Sequence, residues 1–102
     1  MIKVMALMKR KEGMSHADFR KWILEDHVAF ARKVPGMRKY TSNVLRTDTP
    51  DAPFDGVSEM YFDDEAAMAA AFGTEEGKAA GADAAAHCSN RFRMVCDEKL
   101  QF

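Results

Sequence analysis

The chain has 102 residues, of which 47% are hydrophobic and 30% charged, and its formal net charge is -1. This length and composition predict one domain over residues 1–102, with enough apolar side chains for a single core. The near balance of charges offers no broad basic surface, so we expect no nucleic-acid partner. Without an apolar run near the roughly 20 residues of a membrane span, or a signal-peptide pattern, we expect a cytoplasmic protein that binds no membrane.

The first predicted element is a β-strand from Ile2 to Met8. Both of its alternating sets of side chains are largely apolar, because methionine, leucine, isoleucine, valine and alanine occur at odd and even positions alike. This pattern is typical of a strand that is covered on both faces. We therefore expect something to pack on each side of it.

A helix is expected to follow, beginning at the N-cap residue Ser15 and ending near Lys33, since Pro35 disfavours helical backbone just before it. At about 100° per residue, one stripe of this helix contains Phe19, Ile23, Asp26, Phe30 and Val34. Trp22 and His27 fall on the two shoulders of the stripe. The helix thus places an imidazole beside an apolar face.

The rest of the chain alternates between strand and helix patterns. It predicts strands at 37–47, 56–62 and 91–98, and helices at 64–72 and 78–87. The resulting order βαββαβ predicts an α+β, ferredoxin-like fold, in which a four-stranded antiparallel sheet has its helices on one face. The other face then needs a cover, which we expect to be a second sheet in a homodimer that encloses a barrel-like chamber.

Several motifs in this order resemble those of the EthD family. They are Lys9-Arg10-x-x-Gly13-x-Ser15, then Phe19, Trp22 and His27, then Pro35-Gly36-Met37-x-x-Tyr40, and later Glu59-Met60-Tyr61-Phe62-Asp63. The resemblance implies a dimeric α/β barrel related to methylmuconolactone isomerases and polyketide cyclases, in which a helix histidine and polar strand residues line the chamber. It carries over to His27, to Tyr40 and, with lower rank, to Asn43. The additional strand histidine of some cyclases has no counterpart here.

The chemistry of these residues points the same way. An imidazole can move a proton at a carbon next to a carbonyl group, and a tyrosine hydroxyl can donate to the developing oxyanion, so the pair needs no cofactor. We therefore rank His27 and Tyr40 as the catalytic candidates, the alternative being an interior histidine and a packed ring. Period two places Tyr40 and Asn43 on opposite faces of the strand.

Further residues have two open interpretations each. Lys9 is a candidate to bind a carboxylate or phenolate of a substrate, or else marks a solvated strand end. Trp22 is a candidate to contact substrate, or else belongs to the core. Asp26 is expected to pair with Lys39 or Arg38, and Asp83 to lie on the solvated side of a short helix.

Metal and thiol chemistry have little support in the sequence. Cys88 and Cys96 lack CxxC spacing and are predicted to be free thiols. His87 beside Cys88 has no further ligands at suitable spacing, so no metal site is predicted.

Three functions remain open at this point. The first is a cofactor-independent enzyme acting by proton transfer, of isomerase, cyclase, dehydratase or decarboxylase type, on a hydrophobic, oxygenated small molecule. The second is a non-catalytic small-molecule binder or accessory protein of a degradative pathway. The third is a cofactor-independent monooxygenase.

Overall fold

Four antiparallel strands form the sheet of this protein. In the computed structural model, which describes residues 1–102, they are β1 (Ile2–Arg10), β2 (Lys39–Val44), β3 (Gly56–Phe62) and β4 (Cys88–Cys96). β1 pairs with both β3 and β4, which gives the spatial order β2-β3-β1-β4. This topology confirms the predicted ferredoxin-like fold. The last strand begins at Cys88 rather than Arg91, because it follows directly on the preceding helix.

The helical elements are α1 (His16–Lys21), α2 (Val28–Ala31), α3 (Glu65–Gly73) and α4 (Glu75–His87), with a π-helical segment (Trp22–Asp26) between α1 and α2. Side-chain caps fix where three of them begin. The Ser15 hydroxyl accepts a hydrogen bond from the Asp18 amide, as predicted, and Asp64 caps α3. Thr74 accepts from the Gly77 amide, so α4 begins before the predicted Lys78. None of these helices is long and apolar enough to cross a membrane.

The π-helical segment changes which side of the first helical region is buried. The His27 amide donates to the Trp22 carbonyl 2.8 Å away, five residues back instead of the four of an α-helix. This wide turn contains one more residue than an α-helical turn, so each later residue lies at a different angle around the helix axis than a regular α-helix would give it. His27 and Ala31 are buried as a result, while Asp26 and Phe30 are exposed. The predicted stripe is therefore wrong at Asp26 and Phe30, and His27 lies on the buried face rather than its shoulder.

The same wide turn determines the partner of Asp26. In a π-helix, residues five apart come close together, and the Lys21 ammonium lies 2.9 Å from the Asp26 carboxylate. The predicted pairing of Asp26 with Lys39 or Arg38 is wrong. Arg38 pairs instead with Asp63, at 2.8 Å.

Two groups of buried apolar side chains fill the space between the sheet and the helices. The first group is Val4, Val34, Met60, Phe62 and Ala71, and the second is Met8, Phe19, Trp22, Ile23 and Ala84. Both draw on the even-numbered residues of β1, which face the helices. We call this side of the sheet the helix face, and the opposite side the open face.

The open face carries the other alternating set of strand residues. Its apolar members are Met5, Leu7, Val57, Phe92 and Met94, which the strand register places side by side. Phe92 has 57% of its surface exposed. The second apolar side of β1 therefore has no cover from the helices of its own chain.

Candidate active site

A cavity of about 70 Å³ lies on the helix face, where the two buried apolar groups meet. Its apolar and small lining residues are Ala6, Met8, Ala31, Val34, Met37, Met60, Phe72, Gly77, Ala80, Gly81 and Ala84. Its polar lining residues are His27, Tyr40, Ser58, Arg91 and Arg93. No aspartate or glutamate lines it. The cavity thus combines an apolar wall with an imidazole, two hydroxyls and two guanidinium groups.

The position of this cavity differs from the predicted chamber. We expected the site between the sheets of two chains, but the cavity that collects His27 and Tyr40 lies within one chain. The register pairs Tyr40 with the buried Met60, so the even-numbered residues of β2 and β3 face the helices. Neither candidate catalytic residue lies on the open face, because strand alternation directs Tyr40 away from it.

His27 is held at the cavity by Asp83 of α4. Its ring nitrogen Nδ1 lies 2.7 Å from Asp83 Oδ2, and the residue is only 7% exposed. The π-helical turn places His27 on the buried face, and α4 crosses beside it. A carboxylate next to Nδ1 favours the tautomer in which Nδ1 carries the proton. His27 is therefore oriented by a partly buried hydrogen bond to a carboxylate.

Asp83 has further partners in the same cluster. The Trp22 indole Nε1–H donates to Asp83 Oδ2 at 3.0 Å, and His87 Nδ1 donates to the Asp83 carbonyl at 2.7 Å. The Trp22 ring stacks on the His87 ring, with centroids 4.7 Å apart. Asp83 is therefore a fixed group, and its predicted place on a solvated helix side is wrong. Sequence reasoning missed it because α4 is rich in alanine and has no clear apolar stripe.

The second ring nitrogen of His27 has no such partner. No group of the chain is hydrogen-bonded to Nε2, and this atom is not among the fully enclosed unpaired polar atoms. With Nδ1–H bonded to a carboxylate, the neutral ring presents Nε2 as a proton acceptor. A molecule in the cavity is the partner that Nε2 has available.

Tyr40 and Ser58 form a second polar group in the cavity wall. Their hydroxyl oxygens are 3.1 Å apart, and Ser58 is buried while Tyr40 is half-buried. Either hydroxyl can donate to the other, which leaves one O–H free to donate to a bound oxygen atom. Ser58 was not predicted, although its place in β3 opposite the strand of Tyr40 could have indicated it.

Arg91 and Arg93 come from the helix-face side of β4, and sequence reasoning did not select either. Arg91 Nη1 donates to the Gly81 carbonyl at 3.3 Å. The Arg93 guanidinium lies over the Phe72 ring, with its carbon 4.2 Å from the ring centroid. Burial and, to a smaller degree, the charge of Arg91 lower the pKa of Arg93. Neither arginine forms an ion pair with a carboxylate.

Three residues predicted to bind substrate lie outside this cavity. Lys9 donates to the Pro50 and Ala52 carbonyls at 3.1 and 2.8 Å, so it anchors the loop before β3 and does not extend into solvent. Asn43 lies on the open face, as period two predicts, and donates to the Glu59 carboxylate at 2.9 Å. Trp22 is 3% exposed and belongs to the core.

The thiols and histidines do not form a metal centre. No group of three or more His, Cys, Asp or Glu side chains is arranged to hold a metal ion. Cys88 and Cys96 are free thiols, as predicted. Burial raises the pKa of Cys88 to about 11, so its thiol stays protonated and is a poor nucleophile.

Comparisons with known proteins agree with this architecture. An ethyl tert-butyl ether d (EthD) family protein from Bacillus halodurans is 29% identical, with a TM-score of 0.80 over 97% of this chain and 99% of that one. A dimeric ferredoxin-like protein of unknown function from Thermobifida fusca is 16% identical, with a TM-score of 0.74 over 93% and 88% of the two chains. An antibiotic biosynthesis monooxygenase is 22% identical, with a TM-score of 0.69 over 98% and 100%.

No curated protein matches the chain significantly. The model of the EthD domain, however, matches residues 11–88, which include His27, Tyr40 and Asp83. The family model thus covers most of the chain, and the fold of the Bacillus halodurans protein extends over nearly all of it. The chain belongs to the EthD family.

Proposed function

We propose that this protein is a cofactor-independent enzyme that moves a proton at a carbon atom of a hydrophobic, oxygenated small molecule. The observation that carries the proposal is the hydrogen bond between His27 Nδ1 and Asp83, which leaves Nε2 without a partner beside an apolar cavity. A histidine that only filled the core would have both ring nitrogens bonded or enclosed. This one is arranged as a general base.

The reaction begins at a carbon next to a carbonyl group. Nε2 of His27 accepts the proton as the C–H bond breaks, and the electron pair moves onto the carbonyl oxygen. The Asp83 carboxylate stabilises the imidazolium, while the Tyr40 hydroxyl donates to the oxyanion. Return of the proton to a different carbon isomerises the molecule, and the same enolate can instead close a ring or expel a β-hydroxyl group, which takes the proton from Nε2 and leaves as water. Loss of CO₂ from a β-keto acid forms such an enolate without the deprotonation step, because the electron pair of the breaking C–C bond moves onto the carbonyl oxygen.

The substrate class follows from the wall of the cavity. Most of its lining side chains are apolar or small, so a ring or short alkyl group can bury its surface there. The polar side chains are few and converge from the helix and the strands. Such a site selects a molecule with an apolar body and oxygen atoms at defined positions.

A homodimer is part of the proposal. The open face exposes Phe92 and Met94, whose side chains stand beside those of Met5 and Leu7. Burying these side chains against a second copy would remove apolar surface from water. In this arrangement each chain keeps its own cavity on the helix face, and the dimer interface does not form the site.

Deuterium exchange tests the proton-transfer function directly. In D₂O, the protein should accelerate deuterium incorporation into members of a panel of β-dicarbonyl compounds and unsaturated lactones, as followed by NMR. The exchange rate with the His27→Ala variant should be lower by about a hundredfold or more, as expected for the loss of a general base. Asn43→Ala, on the open face, is the matched control and should retain it.

The same experiment separates the alternatives. If His27→Ala exchanges the deuterium at the wild-type rate, the acid–base function is wrong and a non-catalytic binding protein takes its place. A monooxygenase would begin with the same deprotonation but would then consume O₂, so an oxygen electrode distinguishes the two enzymes. The similarity to an antibiotic biosynthesis monooxygenase concerns the fold alone.

A further inference from the structure

Two arginines without acidic partners stand at one end of the cavity. Arg91 and Arg93 both line it, and no aspartate or glutamate does. The Asp83 carboxylate is already bonded to His27 and Trp22. Both are exposed residues of β4, and two positive charges that line one cavity repel each other, so an anion placed between the two arginines would be stabilised.

The arginines also mark the entrance of the cavity. A wider groove of about 530 Å³ runs along β4, and it shares Ala6, Arg91 and Arg93 with the cavity. The two spaces therefore meet at these three residues. The cavity alone is small compared with the roughly 300–1,000 Å³ of common ligand sites, so a ligand would extend through this junction into the groove.

Each guanidinium group has one contact within the chain, but most of its N–H donors have no partner. The Arg93 guanidinium carbon lies 4.2 Å from the centroid of the Phe72 ring, and Arg91 uses one donor on the Gly81 carbonyl. An arginine has five N–H donors in a rigid fork that matches a carboxylate. Most of these donors have no partner in the chain. Their arrangement is that of a pair of anion-binding groups that are already in position.

From these observations we infer that the cavity binds a carboxylate, with its carboxyl group at the junction between Arg91 and Arg93 and its apolar body beside His27. The inference rests on the proposed function for the reaction at that body, but the binding itself needs no turnover. The substrate is then an apolar carboxylic acid, or a molecule from which such an acid forms during the reaction. Neutral polyketides and lactones without a carboxyl group would bind more weakly.

Binding of matched pairs of ligands tests the inference. Benzoate and 1-naphthoate, and the corresponding neutral amides, would be titrated into the ¹⁵N-labelled protein and followed by NMR. We expect both carboxylates to shift the amides of cavity residues and to bind at least about tenfold more tightly than their amides, which is the effect of one charge-assisted hydrogen bond. Equal affinity for acid and amide, or no binding of either carboxylate, would overturn the inference.

Charge-removing variants locate the site. Arg91→Gln and Arg93→Gln should each weaken carboxylate binding by about tenfold without changing amide binding, because they remove an ionic donor pair. Lys78→Gln, which removes a charge from an exposed position of α4, is the control and should leave both affinities unchanged. An equal loss in all three variants would indicate a general effect of net charge and would contradict a site at the two arginines.

The outcomes are independent of the proposed function. If carboxylates bind selectively but the deuterium exchange does not depend on His27, the carboxylate site stands and the proton-transfer function fails. If the exchange depends on His27 but acid and amide bind equally, the enzyme function stands and the inference about the arginines fails.

Discussion

The polar residues on the two faces of the sheet differ in how many of their hydrogen-bonding groups have a partner within the chain. On the open face, Lys3 pairs with both Glu59 and Glu98, and the Tyr61 hydroxyl donates to Glu98 at 2.9 Å. These groups are partners for one another. On the helix face, His27 keeps one ring nitrogen free and the two arginines keep most of their donors free. Polar groups that saturate each other stabilise a structure, whereas groups left unpaired around a cavity are available to a ligand.

The comparison also explains why Asn43 is a poor candidate despite its place on the strand of Tyr40. Its amide donates to the Val57 carbonyl and to Glu59, so its donors are used within the open face. Tyr40 lies on the same strand, but strand alternation directs it to the helix face. One face therefore uses its polar residues for pairing, and the other presents them to a cavity.

The largest expected effect on stability is on the helix face, at Trp22. Trp22→Ala removes a buried ring that packs on Phe19 and His87, and should cost about 3–5 kcal/mol of unfolding free energy. Trp22→Phe keeps most of the ring but removes the hydrogen bond to Asp83, and should cost less. Urea denaturation measures both variants. A loss below about 1 kcal/mol for Trp22→Ala would contradict its place in the core.

The open face should determine the oligomeric state. We expect light scattering at micromolar concentration to give twice the 11.4 kDa mass of the chain. Replacing Phe92 and Met94 together by lysine should yield monomers, because two like charges would face their copies in the partner. Leu24→Lys changes an exposed apolar residue on the helices and should leave the dimer intact. A monomeric wild-type protein would contradict the proposed role of the open face in dimerisation.

A smaller effect concerns the pH dependence of stability. The hydrogen bond from Lys3 lowers the pKa of Glu59 and, in turn, raises that of Lys3. A lowered carboxyl pKa stabilises the folded state above its unfolded value of about 4.3, and this contribution is lost as the pH falls through the folded value. The raised ammonium pKa acts oppositely: its contribution is present below an unfolded value of about 10.4 and is lost as the pH rises through the folded one.

The variant Glu59→Gln should therefore flatten the acid limb of the stability curve. Thermal melts between pH 3 and 7 would measure the difference from the wild type, which should be small because ion pairs at a protein surface contribute little. Asp26→Asn, in an exposed ion pair on the helices, provides a matched control away from the sheet. If Glu59→Gln and the wild type lose stability in parallel with acid, the network on the open face has no stabilising role.

Sequence patterns predicted the fold, and two of the predicted site residues, His27 and Tyr40, line the cavity. Period two gave the strands and the opposite orientations of Tyr40 and Asn43, whereas His27 was selected by the resemblance to the EthD family. The π-helical turn could not be predicted, since it depends on how Trp22 and His27 pack against α4. Asp83 was missed because its alanine-rich helix has no stripe to mark an inward side.

The arginines show a different limit of the sequence. The alternation in β4 predicts that Arg91 and Arg93 share one face of the strand, but it does not indicate which face turns toward the helices. Strand register settles that question by pairing Arg93 with Ala6 of β1. The position of Lys9 was equally hard to predict, because two of its partners are backbone carbonyls of a loop, which no side-chain pattern reveals.

The tautomer of His27 is the most direct test of the central claim that Asp83 holds Nε2 free as a proton acceptor. Long-range ¹H–¹⁵N NMR of the neutral ring, recorded at alkaline pH, should show Nδ1 protonated and Nε2 bare. In Asp83→Asn this preference should disappear, because the carboxylate that accepts from Nδ1–H is lost. A wild-type ring protonated on Nε2 would contradict the account, since His27 would then have no free acceptor facing the cavity.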